Sequence, residues 1–455
     1  MKPLTASEIA QILGTQVAAG DAAALASAGV STDTRKLKPG VAFFALRGEN
    51  FDGDRFAAQA LRDGASVAVV HSWSGDVPAG CAVIEVKDTL LALQILAHWW
   101  RKQLDIPVVA ITGSNGKTST KDFTKAVLSQ RFNVSATVGN LNNHIGVPLT
   151  VLSTTEEHTA AVWEMGMNHS GEIAPLCEIG RPKYGIITNI GTAHIEYLGS
   201  REAIAEEKGT LARALPADGK LFLPACCDFN EYFRQRTKAT IIPVGNGRGL
   251  VRAEDLHFGA DGTRFSLVIH GMETVSVSLP VPGRHMVTNA LLAAGVGWKL
   301  GLTAQEIATG LSGAVLTGGR LLSYDHDGIK VIDDTYNANP ESMAAAIETL
   351  ADTPVTNGAR RIIVLGRMGE LGPHAPDAHL KTGELAASKR LMVIAVGQGA
   401  EGIAAGAGDA PHFPDLDDAA RWLSREAKAG DAVLFKGSRS ATVEKVMNAA
   451  FPRNN

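Results

Sequence analysis

The chain has 455 residues, 45% hydrophobic and 20% charged, too many for one core and too balanced for a disordered or fibrous chain, so two or three domains are expected. A net charge of −4 and a pI near 6.4 leave no basic face for nucleic acid, so any positive charge that serves a phosphate ligand must be local. No run of about eighteen apolar residues suggests a membrane span, and Met1 to Ala10 lacks a signal-peptide core, which makes the cytoplasm the default.

Residues 1 to about 82 mix short β-like runs, Val41–Leu46 and Ser66–Val70, with a helix expected around Arg55–Arg62. Cys81, Cys177, Cys226 and Cys227 follow neither CxxC nor zinc spacing and read as reduced thiols. A helical stretch, Thr89–Gln103, leads to Pro107, where the pattern becomes strand, glycine turn, helix: Ile106–Thr112, Gly113–Thr118, Ser119–Gln130. Apolar runs at Ala160–Trp163 and Tyr184–Thr188 continue a mostly parallel sheet covered on both faces. Between Leu250 and Pro282 the pattern alternates, with Asp261-Gly262 as a hairpin turn, and predicts a small antiparallel appendage. Ile329–Ile332, Arg361–Leu365, Leu391–Val396 and Ala432–Phe435 then form a second alternating α/β series, with Gly430 expected to end a helix.

The strongest motif is Thr112-Gly-Ser-Asn-Gly-Lys-Thr-Ser-Thr120. Its glycines permit tight backbone curvature, and the following helix start directs N–H groups at phosphate oxygens. Lys117 would neutralise β/γ-phosphate charge, and the Thr118 hydroxyl would reach Mg²⁺. Ile111 occupies the place of the first glycine of the usual form, and a plain glycine turn with an exposed lysine is the alternative. Glu164, at the end of the next strand, suits a metal that bridges phosphates, or equally an ion pair or helix cap. His194 closes the loop after Tyr184–Thr188; a structural histidine is the alternative there. Lys208 sits beside Glu206 and Glu207, where a solvated charge pair would serve as well. Val331–Pro340 concentrates two acids, an aromatic and two amides behind a strand, a binding loop rather than a plain capped turn. Lys436-Gly-Ser-Arg439 offers a second anion site or a charged helix start.

Taken in order, these motifs resemble the Mur ligases. The likeness spans essentially the whole chain: Ser31–Arg35, Pro39-Gly40, Phe43–Leu46 and Gly48-Glu49 early; the P-loop, Gly139–Pro148, Glu164–Gly166 and Asn189–His194 in the middle; Asp333–Pro340 and Lys436–Arg439 late. The Asn-Leu-Asn-Asn and Asp-Asp-Thr-Tyr-Asn-Ala-Asn-Pro runs are similar to those of the members that add D-alanyl-D-alanine to UDP-N-acetylmuramoyl-tripeptide.

The resemblance implies an ATP-dependent amide ligase acting through an acyl phosphate in cytoplasmic peptidoglycan synthesis, as a monomer. The implied fold is α/β in three domains: residues 1–84 for the UDP-sugar, 85–316 for ATP on a P-loop parallel sheet, and 317–455, Rossmann-like, for the acceptor. It places Gly113, Ser114, Asn115, Gly116, Lys117, Thr118 and Ser119 on the ATP phosphates, with Arg320 on the γ-phosphate side. Asn289 would contact adenine, and Asp333 or Asp334, with Tyr336 and Asn337, the ribose and base region. Thr118 and Glu164 would hold one Mg²⁺, and His194 would serve a second. Lys208 matches a lysine that CO₂ carbamylates into a metal ligand. Ser31, Thr32, Asp33, Thr34, Arg35, Gly48 and Glu49, together with Asn142 and Asn143, would hold the UDP-sugar peptide. The chain departs from the family pattern at Asp54, Met286 and Arg367. Another amide ligase of the same superfamily, such as folylpolyglutamate synthase, is the nearer alternative; a P-loop kinase or nucleotide-driven switch is the one from a different class.

Overall fold

Uncharged, β-branched runs form the buried strands, as at Val108–Thr112, where all five residues are inaccessible. The computed structural model describes residues 1–49, 51–259, 262–356 and 358–453. Three large sheets follow one another along the chain. The first has five strands in the order Val17–Gly20, Ala82–Glu85, Val67–Val70, Ala42–Phe44, Val30–Ser31, all parallel but the first pair. Helix Asp54–Arg62 covers it where the sequence predicts.

The second sheet has nine strands, ordered Val134–Ala136, Ala160–Glu164, Val108–Thr112, Tyr184–Ile187, Lys220–Pro224, Thr240–Asn246, Val251–Phe258, Thr263–Ile269, Val275–Leu279. Its first seven strands run parallel and the last two pairings are antiparallel. The expected antiparallel appendage is therefore the continuing edge of this sheet, joined through Val244 opposite Val251. Asp261 of the expected hairpin turn lies outside the described residues; the strands on either side pair from Phe258 and Thr263.

The third sheet is ordered Leu322–His326, Ile329–Asp333, Ala432–Lys436, Arg361–Gly366, Met392–Val396, His412–Phe413, antiparallel only at its first pair. Gly430 does not end a helix: helix Leu416–Glu426 stops four residues earlier with Ala427 as its cap. Gly430 instead makes the turn into Ala432–Lys436 at φ +95, a backbone that glycine adopts without steric cost.

Two continuous cores fasten the sheets together. Helix Thr89–Gln103, capped by Asp88, packs Leu93, Leu96 and Trp100 into one core with Phe44 of the first sheet and Trp163 of the second. Removing a side chain like Trp100 from such a core costs about 3–5 kcal/mol. The other core joins Val127 and Leu291 of the middle region to Leu350 and Ile363 of the last. Among the described residues no helix is long and apolar enough to cross a membrane.

Candidate functional site

The order of the nine-stranded sheet reverses at Val108–Thr112: the chain next fills one side, then returns to fill the other. Ligand crevices of α/β sheets open at such a switch point, outside the carboxyl ends of the strands. Register sets Ile111 opposite Glu164 and Thr112 opposite Ile187, so the loops after these three strands leave at one level. Gly113 takes φ +146, and a Cβ there would run into Thr188 Oγ1; at Gly116, φ +78, a Cβ would stand 2.7 Å from Asn289 Oδ1. Only glycine fits either position, and Gly116 delivers the chain into helix Lys117–Leu128.

Within this turn the Ser114 N–H donates to Asn189 O at 3.1 Å, and the Asn115 N–H donates to Asn189 Oδ1 at 2.8 Å. Lys117 Nζ donates to Gly113 O at 2.8 Å and has no carboxylate at ion-pair distance among the described residues. Burial lowers its pKa, with Glu164 opposing and Arg320 adding to the effect. The exposed-lysine alternative does not hold.

Glu164 is 2% exposed. Its Oε2 accepts from Thr118 Oγ1 at 2.9 Å and its Oε1 from Asn142 Nδ2 at 2.8 Å. Arg320, from the segment entering the third sheet, donates through Nη2 to the same Thr118 hydroxyl at 2.9 Å. Its guanidinium lies 4.1 Å from the centre of the Tyr336 ring. Arg320 Nε and Asn115 Nδ2 are buried donors without partners among the described residues, as befits a cradle for an anion. The hard oxygens of Thr118 and Glu164 suit Mg²⁺. Among the described residues no group of three or more His, Cys, Asp or Glu gathers.

Lys208, on helix Arg201–Ala214, is 1% exposed. Burial and then Lys117 push its pKa well below the ordinary lysine value, against Glu207. The solvated charge pair is excluded, because Glu207 instead accepts the N–H groups of Gly171 and Ile173, while Glu206 pairs with Arg213. His194 Nδ1 lies 2.6 Å from Glu370 Oε2 of the third sheet's loops.

Several residues are engaged within their own regions. Lys436, 3% exposed, spends its ammonium on Asp334 Oδ2 at 2.6 Å and Asn337 O at 3.0 Å. Arg439, on the surface, pairs with Glu444 at 3.2 Å; in this run, which offered a second anion site or a charged helix start, Lys436 is a buried brace for the Asp333–Pro340 loop. Asp334 is nonetheless raised above the ordinary carboxylate value, desolvation outweighing Lys436. Asp333 accepts from Thr335 and from Arg453 Nη2 at 2.9 Å, and Asn337 Oδ1 from the Ala338 N–H. Asn289 is buried below Gly116 and donates to the sulfur of Met286. Ser119 is buried in the first helical turn. Arg367 reaches Ser440 Oγ at 3.2 Å, and Asp54 accepts from Arg47 and the His71 N–H.

The first sheet's candidates stand apart from the cradle. Ser31 and Asp33 bond within their own loop, Thr34 to Lys36 form a single 3₁₀ turn capped by Asp33, and Arg35 grips Asp33 at 2.9 Å. Thr32 belongs to the same loop, and Gly48 pairs with Phe51 in a short hairpin that Glu49 turns. Asn143 Oδ1 accepts the N–H groups of Ile145 and Gly146, just ahead of helix Gly146–Ser153.

Sequence reasoning counted Asn339 only among the amides of the Val331–Pro340 loop and gave Glu341 and Glu370 no role. Asn339 Nδ2 donates to Asn115 Oδ1 at 2.7 Å. Glu341 accepts from Thr192 N at 2.8 Å and Oγ1 at 3.1 Å, and Glu370 meets His194. The only available signal for Glu370 was a charge inside the glycine-punctuated run Gly366–Gly372.

Profiles of known families match this layout. The Mur ligase middle domain covers residues 111–297, the Mur ligase glutamate ligase domain residues 319–439, and the Mur ligase family catalytic domain residues 27–101. The chain belongs to the Mur ligase family. Its chemical class follows: an ATP-dependent amide ligase. Among curated relatives, the UDP-N-acetylmuramoyl-tripeptide–D-alanyl-D-alanine ligase of Escherichia coli is 38% identical over 99% of this chain and 98% of its own. The ligase of the same name from Bacillus subtilis is 37% identical over 92% of each. Among solved structures, MurF from Acinetobacter baumannii superposes with a TM-score of 0.90 at 33% identity, covering 100% of both chains. MurF from Thermotoga maritima, solved in complex with ADP, gives 0.83 at 26% identity over 92% of this chain and 96% of its own.

Proposed function

We propose that this Mur ligase joins D-alanyl-D-alanine to UDP-N-acetylmuramoyl-tripeptide at the expense of ATP, as a cytoplasmic monomer in peptidoglycan precursor synthesis. The observation that carries the reading is the convergence of Lys117, Thr118, Glu164 and Arg320 across two sheets, with unpartnered donors facing the same cradle. In this reading residues 1–84 hold the UDP-sugar, 85–316 the nucleotide and 317–455 the acceptor.

A carboxylate is a poor acyl donor because it would have to expel oxide. Attack by the peptide's carboxylate oxygen on the γ-phosphorus forms a C–O–P bond and releases ADP. The acceptor's neutral amine then adds to the acyl carbon, and the tetrahedral adduct expels phosphate as it closes to the amide. Lys117 and Arg320 stabilise the charge that passes between nucleotide and carboxylate. Thr118 and Glu164 would hold one Mg²⁺ and His194 would serve a second; bound there, the ions neutralise phosphate charge.

Lys208 supports a further element. Burial and Lys117 push the Lys208 amine well below the ordinary lysine pKa, which favours the free lone pair that attack on CO₂ requires, and loss of a proton from the adduct leaves a carbamate, an oxygen ligand in place of an ammonium. Lys208→Ala should lose about 10–100-fold in activity and recover part of it with added short carboxylates. Full activity without additive would remove the carbamate from the mechanism.

The deciding assay is product mass after incubation with ATP, UDP-N-acetylmuramoyl-tripeptide and the dipeptide. Amide product and phosphate should appear together. Glutamate or diaminopimelate serving equally well as acceptor would assign the chain to another branch of the family.

A further inference from the structure

His194 and Glu370 belong to different sheets and meet under unusual backbone constraint. His194 ends the loop after Tyr184–Ile187 at φ +66, and Glu370 lies in the loop after Arg361–Gly366 at φ +59. Left-handed backbone at a residue other than glycine persists only where its surroundings dictate it. Here both sides of one contact adopt it. The Glu196 N–H donates to Glu370 O at 3.3 Å, and Gly372 packs against Glu196 so closely that a Cβ would stand 3.2 Å from Glu196 Cγ. The backbones are thus docked without help from the carboxylate. The Glu370 side chain nonetheless turns to His194, Nδ1 to Oε2 at 2.6 Å and off the axis of a straight hydrogen bond.

We propose that Glu370 is a positioning residue for His194: the third sheet supplies the carboxylate that fixes the ring's orientation and tautomer, so the histidine is set for chemistry only when the two sheets are docked. The inference rests on the reading of His194 as a site residue. With Nδ1 turned to the carboxylate, Nε2 is the ring nitrogen that faces away from Glu370. Carboxylates behind a working histidine act in this way, and their loss costs about 10–100-fold. Glu370 is also within electrostatic reach of Lys117, which places it at the rim of the phosphate cradle.

The test compares Glu370→Gly, Glu370→Gln, His194→Ala and the double variant Glu370→Gly/His194→Ala in the full chain. Glycine accepts the left-handed backbone, so Glu370→Gly deletes the carboxylate while leaving the loop its shape. Expected are a kcat lower by about 10–100-fold, a KM for ATP within about twofold of the parent, an undiminished melting midpoint, and a smaller loss in Glu370→Gln. The double variant should match His194→Ala alone, since a residue that acts through the ring has nothing left to orient. In metal-free protein, ¹⁵N spectra of labelled histidine should show the His194 signal shift from the Nδ1–H tautomer toward a mixture in Glu370→Gly. Losses that multiply in the double variant, or an unchanged ring signal, would overturn the proposal. The ring signal needs no substrate, so it separates this outcome from failure of the parent chain to make the amide, which would overturn the functional reading itself.

Discussion

Two strand ends in this molecule look alike in sequence and behave differently. After Val108–Thr112 the chain runs Gly-Ser-Asn-Gly-Lys into a helix; after Ala432–Lys436 it runs Gly-Ser-Arg through a 3₁₀ turn, Arg439–Ala441, to the helix Glu444–Ala450. At the first, Lys117 is half-buried with only a carbonyl as hydrogen-bond partner, beside donors with none. At the second, Lys436 is buried against Asp334 and its loop. A cation near a helix start is available to a ligand only if no carboxylate has already claimed it, and pairing is a property of the fold rather than of the motif.

That contrast can be broken by substitution. Lys117→Ala should lower kcat by about 10²–10³-fold or more, as removal of a preorganised charge from a transition state does, with little change in folding; phosphate release in the presence of both substrates measures it. Lys436→Met should do the reverse. Stripping Asp334 of its buried partner should cost about 3 kcal/mol of stability, read from urea midpoints, and any loss of activity should follow unfolding.

His285 sharpens the second half of the comparison. Burial and then Lys436 lower its pKa from 6.5 to about 4. As pH falls from 6.5 toward 4 the unfolded chain takes up a proton there that the folded chain refuses, so stability is whole above that window and is lost within it. The loss should be about 2 kcal/mol, allowing for partial exposure of the ring, and His285→Gln should flatten that part of the stability–pH curve. The smallest structural effect belongs to Arg35, whose side chain is 86% exposed beside Asp33. Arg35→Ala should leave the melting midpoint unchanged while raising KM for the UDP-sugar peptide about tenfold, the worth of one charge-assisted hydrogen bond.

What could be read in advance follows the same physics. Helix Thr89–Gln103 and the strands Val108–Thr112, Ala160–Glu164 and Ile329–Asp333 were legible because a cap, a proline or an apolar run marks them. Helix Arg284–Lys299 was not: it is buried on nearly all sides, so no polar face gives it a period. In the site, the glycine turn and Glu164 were legible because each marks the carboxyl end of a buried strand. Asn339, Glu341 and Glu370 were not, because their partners lie 224 and 149 residues away in chain for the first two and on another sheet for the third. The Lys436 brace was not foreseen for the same reason, since Asp334 is 102 residues distant.

Asn339 and Glu341 flank Pro340 at the head of one helix, yet they hold separate loops of the nine-stranded sheet, through Asn115 and Thr192. Because a rigid helix carries both grips, neither can slacken alone. Parting of the two halves should therefore be concerted rather than graded, both grips letting go together.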